Sequence, residues 1–374
     1  MIEPGQRMKP IVGTAAVGKS TKRLLERMGR RSIAVIDHED VDRLAARGLI
    51  EAKALAVVNA GRTMTGRIPS DAALLLLDAG IPIVEIDPEA MERISDGSRL
   101  TITSAGVHWS DGWSPCRAFT RADWRRLHEL AVSRVNDEWA RFIDNTLIFA
   151  ERDKKLLLAP LRLDGLTTAL AGRHAVVVCR GDGYREDLAA LRSYIAAFSP
   201  VLIGVDGGAD ALLELGLRPD MIVGDMDSVS DRALRSGAEL IVHGYLSGEA
   251  PGLARVRGLG LDAAVLRCAG TSEDLAMLIA FDGRCEQIVS VGSHIHMFDF
   301  LEKGRGGMAS TWLVRMKVGS KLIDAKGISR LQLSPRAPLA ERANQWAAWA
   351  RSCLTGKRRW KNVFTRVGRY PRME

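Results

Sequence analysis

The sequence predicts an α/β protein: a small N-terminal α/β domain, a long linking helix, then a doubly wound Rossmann-like domain with a short C-terminal β-hairpin and a basic helical tail. Three observations carry this. Short apolar runs alternate with helix-period stretches in two separate blocks, about residues 11–105 and 174–320. Between them, 120–157 reads as one long helix, with apolar residues from Trp124 to Phe142 at three- and four-residue steps. The chain from Pro335 onward then turns strongly basic. A length of 374 residues also exceeds one ordinary core.

In the first block, Ser32–Ile36, Ala54–Val58 and Ile81–Ile86 are apolar runs separated by helical patterns at 40–52 and 70–79. That is βαβαβ order with parallel strands, and Arg99–Thr103 adds an edge strand. This domain is placed at 1–110. Ahead of it, Gly13 to Ser20 fits the phosphate-loop pattern GxxxxGKS at every fixed position. The context does not fit. Such a loop follows an apolar strand, whereas only Lys9-Pro10-Ile11-Val12 precedes this one, and too little chain separates Ser20 from Ile33 for a full helix. The segment is expected to be a leading loop followed by a basic amphipathic helix, 19–28.

The linking helix, within 119–160, opens on a capping-box pair, Thr120 and Asp123, and its stripe runs through Trp124, Leu127, Ala131, Val135, Trp139 and Phe142. The stripe is expected to pack on a neighbouring domain, with contact to a second copy in a homodimer as the alternative.

The second α/β domain, 170–332, reads as strands at Val176–Cys179, Val201–Val205, Met221–Val223, Leu240–His243, Ala263–Arg267 and Gln287–Val291. Helices fit at 186–198, 209–215, 230–236, 252–258 and 272–282, and Lys321–Gln332 suggests a closing hairpin.

Composition excludes several classes. No run of 18 apolar residues exists, so a spanning helix is not expected. The start, MIEPGQRMKP, lacks the apolar core of a signal peptide. The five cysteines show neither CxxC pairing nor metal spacing, as in a reducing cytoplasm. His294 and His296 lack a third ligand and read as loop histidines.

The chemistry concentrates where strands end. Val205-Asp206-Gly207-Gly208-Ala209-Asp210 is followed by Pro219-Asp220 and then by Gly224-Asp225-Met226-Asp227-Ser228. The paired glycines let backbone amides approach an anion, and the helix beyond them points its positive end the same way. In extended chain Asp225 and Asp227 face the same side. Carboxylates that close repel, and a divalent cation with hard oxygen ligands relieves this, favouring Mg2+. Glu273 and Asp274, opening the helix after Ala263–Arg267, could supply a fourth carboxylate. Arg180 and Arg185, beside Gly181 and Gly183 in a strand-to-helix turn, are candidate phosphate contacts.

These residues resemble the catalytic domain of thiamine pyrophosphokinases, which shares the DGGA segment, the Pro-Asp pair and the GDxDS motif. The resemblance implies that Asp206, Asp225 and Asp227 hold Mg2+ on ATP or another nucleotide or diphosphate, and that Asp274 matches the aspartate of a later Thr-Asp motif. Gly207, Gly208, Ser228 and Thr271 join the two arginines as cofactor contacts. In such enzymes a diphosphoryl group moves from ATP to the thiamine hydroxyl. The chain departs from that pattern at Gly270-Thr271-Ser272-Glu273-Asp274, which lacks a lysine, and at Gly292–His296, which replaces an Arg-x-Asp-His segment.

Over residues 11–332 the chain more closely resembles the SteA-like cytokinetic ring proteins of actinobacteria. The matching blocks are Ile33–Asp40, Val57–Ala60, Arg180–Leu188, the Asp206 and Asp225 motifs, Gly270–Asp274 and Lys303–Thr311. That resemblance implies a cytoplasmic, division- and envelope-associated protein with a membrane-protein partner, binding a magnesium nucleotide or diphosphate. A working diphosphotransferase with an alcohol acceptor such as thiamine is the alternative.

From Pro335 on there are ten Lys or Arg against two acids, so the rest of the +8 chain sums to about zero. Leu339, Ala343, Trp346, Ala350 and Cys353 share one helical stripe beside the Lys357–Lys361 cluster. Such a tail, 333–374, suits an anionic membrane surface at the inner face of the plasma membrane. A helix docked on the body is the equal alternative, and nucleic acid is disfavoured for want of a recognition motif.

Overall fold

Strands buried on both faces read as continuous apolar runs, and two sheets are built on such runs here. The computed structural model describes residues 9–19, 21–301 and 304–331. The first sheet and its helices run in the order β1 (Ile11–Gly18), α1 (Thr21–Arg27), β2 (Ile33–Ile36), α2 (Arg43–Glu51), β3 (Ala56–Asn59), α3 (Ala72–Asp78), β4 (Ile83–Glu85), α4 (Pro88–Glu92), β5 (Arg99–Ile102), β6 (Gly106–Trp109), β7 (Gly112–Pro115) and β8 (Arg117–Phe119). The strand order is β7-β6-β5-β1-β2-β3-β4-β8, with β1 to β4 mutually parallel and the flanking strands antiparallel.

Ile33 and Val35 of β2 bury into one core with Leu100, Ile102 and Val107, while Ala34 and Ile36 enter a second core with Leu24, Leu49 and Leu76. Only Cys116 separates β7 from β8, although they stand at opposite ends of the strand order. A residue spans at most ~3.5 Å, and the seven intervening strand spacings would measure about 34 Å if flat. The sheet therefore curls until its two edges adjoin.

The linker is the 38-residue helix α5 (Arg121–Leu158), opened by the expected capping box of Thr120 and Asp123. Leu127 packs in the first body's core, and Ala150 and Leu157 pack in the second's. Trp139, expected on the buried stripe, is 44% exposed. It lies on the middle stretch of the helix, where residues 132–141 are exposed or half-buried.

The second sheet is wholly parallel. Its elements are β9 (His174–Val178), α6 (Tyr184–Ala190), α7 (Arg192–Phe198), β10 (Val201–Val205), α8 (Gly208–Glu214), β11 (Met221–Gly224), α9 (Asp231–Leu234), β12 (Glu239–Gly244), α10 (Pro251–Gly258), β13 (Ala264–Arg267), α11 (Ser272–Asp282), β14 (Gln287–Val291), α12 (Met297–Leu301), α13 (Ala309–Val318) and β15 (Leu322–Asp324). The strand order β13-β12-β11-β10-β9-β14-β15 reverses direction at β9, as in doubly wound folds. Helices α11 and α13 cover one face together with the end of α5, and Val229, Leu234 and Val256 cover part of the other.

Several expectations are corrected. The segment before α1 is a strand, not a leading loop, because β5 on one side and β2 on the other satisfy its backbone. Strands β6 to β8 carry the first body past residue 110 to Phe119. Helix 186–198 is two helices, broken at Leu191. No hairpin closes the second sheet within the described part of 321–332, where β15 pairs parallel to β14.

Packing divides the chain after Gly327. Beyond it, the described residues hold a 3-10 turn, Ile328–Arg330, and Leu331. The expected amphipathic tail and its basic cluster lie outside the described residues, as do Ser20, Lys303 and Cys353. Among the described residues no helix is long and apolar enough to cross a membrane.

Candidate functional site

Ligands of open α/β sheets gather beyond the carboxyl ends of the strands, where the winding reverses. A cavity of about 480 Å³ opens there, within the size range of small-molecule sites. On its wall stand Cys179 and Arg180 after β9, Asp206 and Gly207 after β10, Asp225 after β11, and Thr271, Ser272 and Glu273 at the start of α11. The first sheet supplies the opposite wall with Lys19, Thr21, Asp37, His38 and Asp42.

The turn after β10 is tightly specified. Asp206 adopts a left-handed backbone (φ 47°), which costs a non-glycine residue roughly 1–2 kcal/mol. Its own N–H donates to the Val223 carbonyl at 3.0 Å, and its Oδ1 accepts the Met226 N–H at 3.2 Å. The carboxylate thus lies across the end of β11. Gly224 is required beneath it, because a Cβ there would sit 1.9 Å from Asp206 Oδ1. Gly208 is equally constrained, since a Cβ would meet the Val178 carbonyl oxygen at 1.9 Å. Backbone contact between α8 and β9 depends on that missing methyl.

Asp225 reaches the same cavity, and its Oδ1 accepts the Asp227 N–H at 3.0 Å. Asp227 does not join it. The same-side expectation assumed extended chain, but Met226 is left-handed (φ 62°) and turns Asp227 outward. There it pairs with exposed Arg23 at 3.1 Å. The structure therefore brings together two of the three expected metal ligands.

Of the expected phosphate contacts, Arg180 lines the cavity with its guanidinium close to Gly207. It lies 3.5 Å from Glu214 and 3.9 Å from Asp210, while its Nε–H is buried without an acceptor. An unmet buried donor costs about 1–3 kcal/mol. Arg185 faces elsewhere, paired with Glu51 at 3.2 Å and Glu214 at 3.4 Å. Ser228 is buried and off the wall.

Asp274 is also off the wall. It is wholly buried, and its Oδ2 accepts the Thr271 N–H at 2.8 Å and the Thr311 hydroxyl at 3.3 Å. With Thr271 it forms the capping box of α11. Burial pushes its carboxyl above the ordinary value, against the pull of the Thr271 N–H. Its neighbour Glu273 faces the cavity instead, with Oε2 accepting from the His294 N–H at 3.2 Å and Oε1 3.5 Å from the Arg315 guanidinium.

The walls carry six carboxylates, adding Asp37, Asp42 and Asp299 to the three above, against Lys19, Arg180 and Arg305. Glu273 and Asp299 are paired off the wall, with Arg315 at 3.5 Å and Lys326 at 3.0 Å, so the negative charge left for a divalent cation to offset is mainly that of Asp37, Asp42, Asp206 and Asp225. Among the described residues no three His, Cys, Asp or Glu side chains are grouped to hold a metal ion. Mg2+ needs less. It keeps several waters and is commonly held by one or two carboxylates plus substrate phosphates, a share that Asp206 and Asp225 fit.

Sequence reasoning missed the first-sheet wall. The signal was present in Ile36-Asp37-His38-Glu39-Asp40, an acidic turn directly after an apolar strand.

No family model matches the chain, and no curated protein does. Among solved structures, a Salmonella D-lactate dehydrogenase aligns at 14% identity over 86% of this chain and 89% of its own, with a TM-score of 0.14. At that score the likeness carries no argument.

Proposed function

We propose that the second α/β body binds the magnesium complex of a nucleotide or diphosphate at the carboxyl ends of β9, β10 and β11. The observation that carries this is the convergence of Asp206, Asp225 and the Arg180 side chain on one cavity. The aspartates share the cation with the phosphates, Arg180 takes a phosphate oxygen, and Gly207 keeps the approach clear. Calorimetric titration of ATP, ADP and thiamine diphosphate with Mg2+ tests it. Asp225→Ala is expected to weaken binding at least tenfold and Asp227→Ala less than about twofold, since exposed ion pairs contribute little. Wild-type protein that binds none of the three would overturn the reading.

The likeness to SteA-like proteins supports extending this to a division-associated role in which ligand binding governs a membrane-protein partner. A fluorescent fusion that stays evenly distributed through dividing cells would count against that role. Catalysis is the second reading, favoured by the His294–Glu273 pair on the wall, 3.3 Å between Nδ1 and Oε2, which can take up a proton from an alcohol. Release of AMP from ATP, dependent on an added alcohol such as thiamine, distinguishes transfer from binding alone.

A further inference from the structure

We infer that the site is bipartite: the strand ends of the first sheet hold the nucleoside end of the ligand, which makes that ligand a nucleoside di- or triphosphate and not a free diphosphate. This rests on the phosphate reading above. β1 and β2 are parallel neighbours, and both end on the cavity, at Lys19 and at Asp37.

Asp37 comes directly after the second strand of a β-α-β unit. In doubly wound domains an acid in such a place accepts hydroxyls of a ribose. Among the described residues its carboxylate makes no hydrogen bond or ion pair, and it lines the cavity.

The next residue, His38, is held from several sides. Fully buried Asn59 accepts the His38 N–H at 3.0 Å and the Gly61 N–H at 3.1 Å, and donates to the His38 carbonyl at 2.9 Å. Gly61 permits this approach, since a Cβ would lie 2.9 Å from the His38 carbonyl carbon. The His38 ring is oriented as well, with Nδ1 3.0 Å from the Thr21 hydroxyl and Nε2 3.7 Å from Asp42. His38 is therefore presented in a fixed geometry, directly beside Asp37.

The chemistry of this wall selects its occupant. Asp37 and Asp42 repel phosphate, and Lys19 is already 3.2 Å from Glu92. The carboxylates suit a group rich in hydroxyl donors. Leu25, Leu44 and Ala45 beside them provide apolar surface for a planar base. The opposite wall, with Arg180, Asp206 and Asp225, takes the phosphates and their cation.

The test is calorimetry on the full chain with magnesium ATP and with magnesium tripolyphosphate, comparing wild type, Asp37→Ala and Asp225→Ala. Asp37 is exposed, so its replacement leaves the fold intact. ATP is expected to bind at least about tenfold more tightly than tripolyphosphate, and Asp37→Ala to weaken ATP about tenfold without weakening tripolyphosphate, from which it removes a repelling charge. Asp225→Ala is expected to weaken both. Equal affinity of wild type for the two ligands, or ATP binding indifferent to Asp37→Ala, would overturn the bipartite site while the phosphate reading stood. Failure of wild type to bind either ligand would overturn both.

Discussion

Replacing Gly208 with alanine sets two effects of known sign against each other. Alanine is the better helix former by roughly 0.5–1 kcal/mol, and Gly208 opens α8, so propensity alone predicts a gain. The added methyl, however, would sit 1.9 Å from the Val178 carbonyl oxygen and 2.7 Å from its carbon. Ordinary carbon–oxygen contact begins near 3.3 Å, so α8 must retreat from β9 by about 1.4 Å. Backbone lies on both sides of the contact, and no rotamer change relieves it. Overpacking of this kind costs about 1–3 kcal/mol, which outweighs propensity and leaves a net loss of about 1–2 kcal/mol. At roughly 2–4 °C per kcal/mol for a domain of this size, the melting temperature falls by several degrees. Because α8 starts two residues after Asp206, the retreat also pulls that carboxylate away from Asp225, and magnesium–nucleotide affinity drops at least about tenfold. Thermal unfolding by circular dichroism and calorimetric titration report the two effects. Gly258→Ala is the control: it lies in α10 with nothing within 4 Å of a new Cβ, so it gains the propensity term alone. A Gly208→Ala protein that melts at or above wild type would refute the reasoning.

Two further perturbations test the surroundings of the site. Burial raises the Asp274 carboxyl above its ordinary 3.8, so the folded state binds more protons than the unfolded one above that pH, and stability declines as pH rises towards the folded pKa. Asp274→Asn keeps an acceptor for Thr271 and Thr311 without the charge, so its melting temperature relative to wild type should climb as the pH is raised from about 4; a constant difference would remove the basis for this. Asn59→Ala strands the His38 N–H and carbonyl and the Gly61 N–H, and is expected to cost about 2–4 kcal/mol, read as a lowered urea midpoint. An unchanged midpoint would mean that water replaces the amide without penalty.

Six of the seven parallel strands of the second sheet were legible as apolar runs, several closed by glycine or aspartate, as Val201–Val205 is by Asp206-Gly207; β15, expected in a hairpin, was not. Strand β1 was not. Its Gly13-Thr14-Ala15-Ala16 stretch has little strand propensity and is made extended by neighbours distant in sequence, Leu100 and Ala34 among the paired residues. Helix α13 was overlooked because Trp312 and Met316 stand out to solvent and blur the apolar face formed by Leu313, Val314 and Val318. At the site, the positions of Asp206 and Asp225 came from strand ends. The outward turn of Asp227 did not, because it depends on one left-handed residue, Met226, whose side chain carries no sign of it. The burial of Asp274 was foreshadowed by the Thr271-to-Asp274 spacing, which is that of a capping box and not of a ligand set.

The long helix α5 has a consequence for how this chain can change length. Each residue added within a helix advances the downstream chain by 1.5 Å and turns it by about 100°. Leu127 is seated in one core and Ala150 and Leu157 in another, so one inserted residue between them would swing the far anchors off their sockets by more than a quarter turn. Insertions of seven, close to two whole turns, preserve the bearing but move the anchors about 10 Å along the axis. The segment works as a measured spacer, and variation in its length is expected to be far less tolerated than variation in the surface loops to either side.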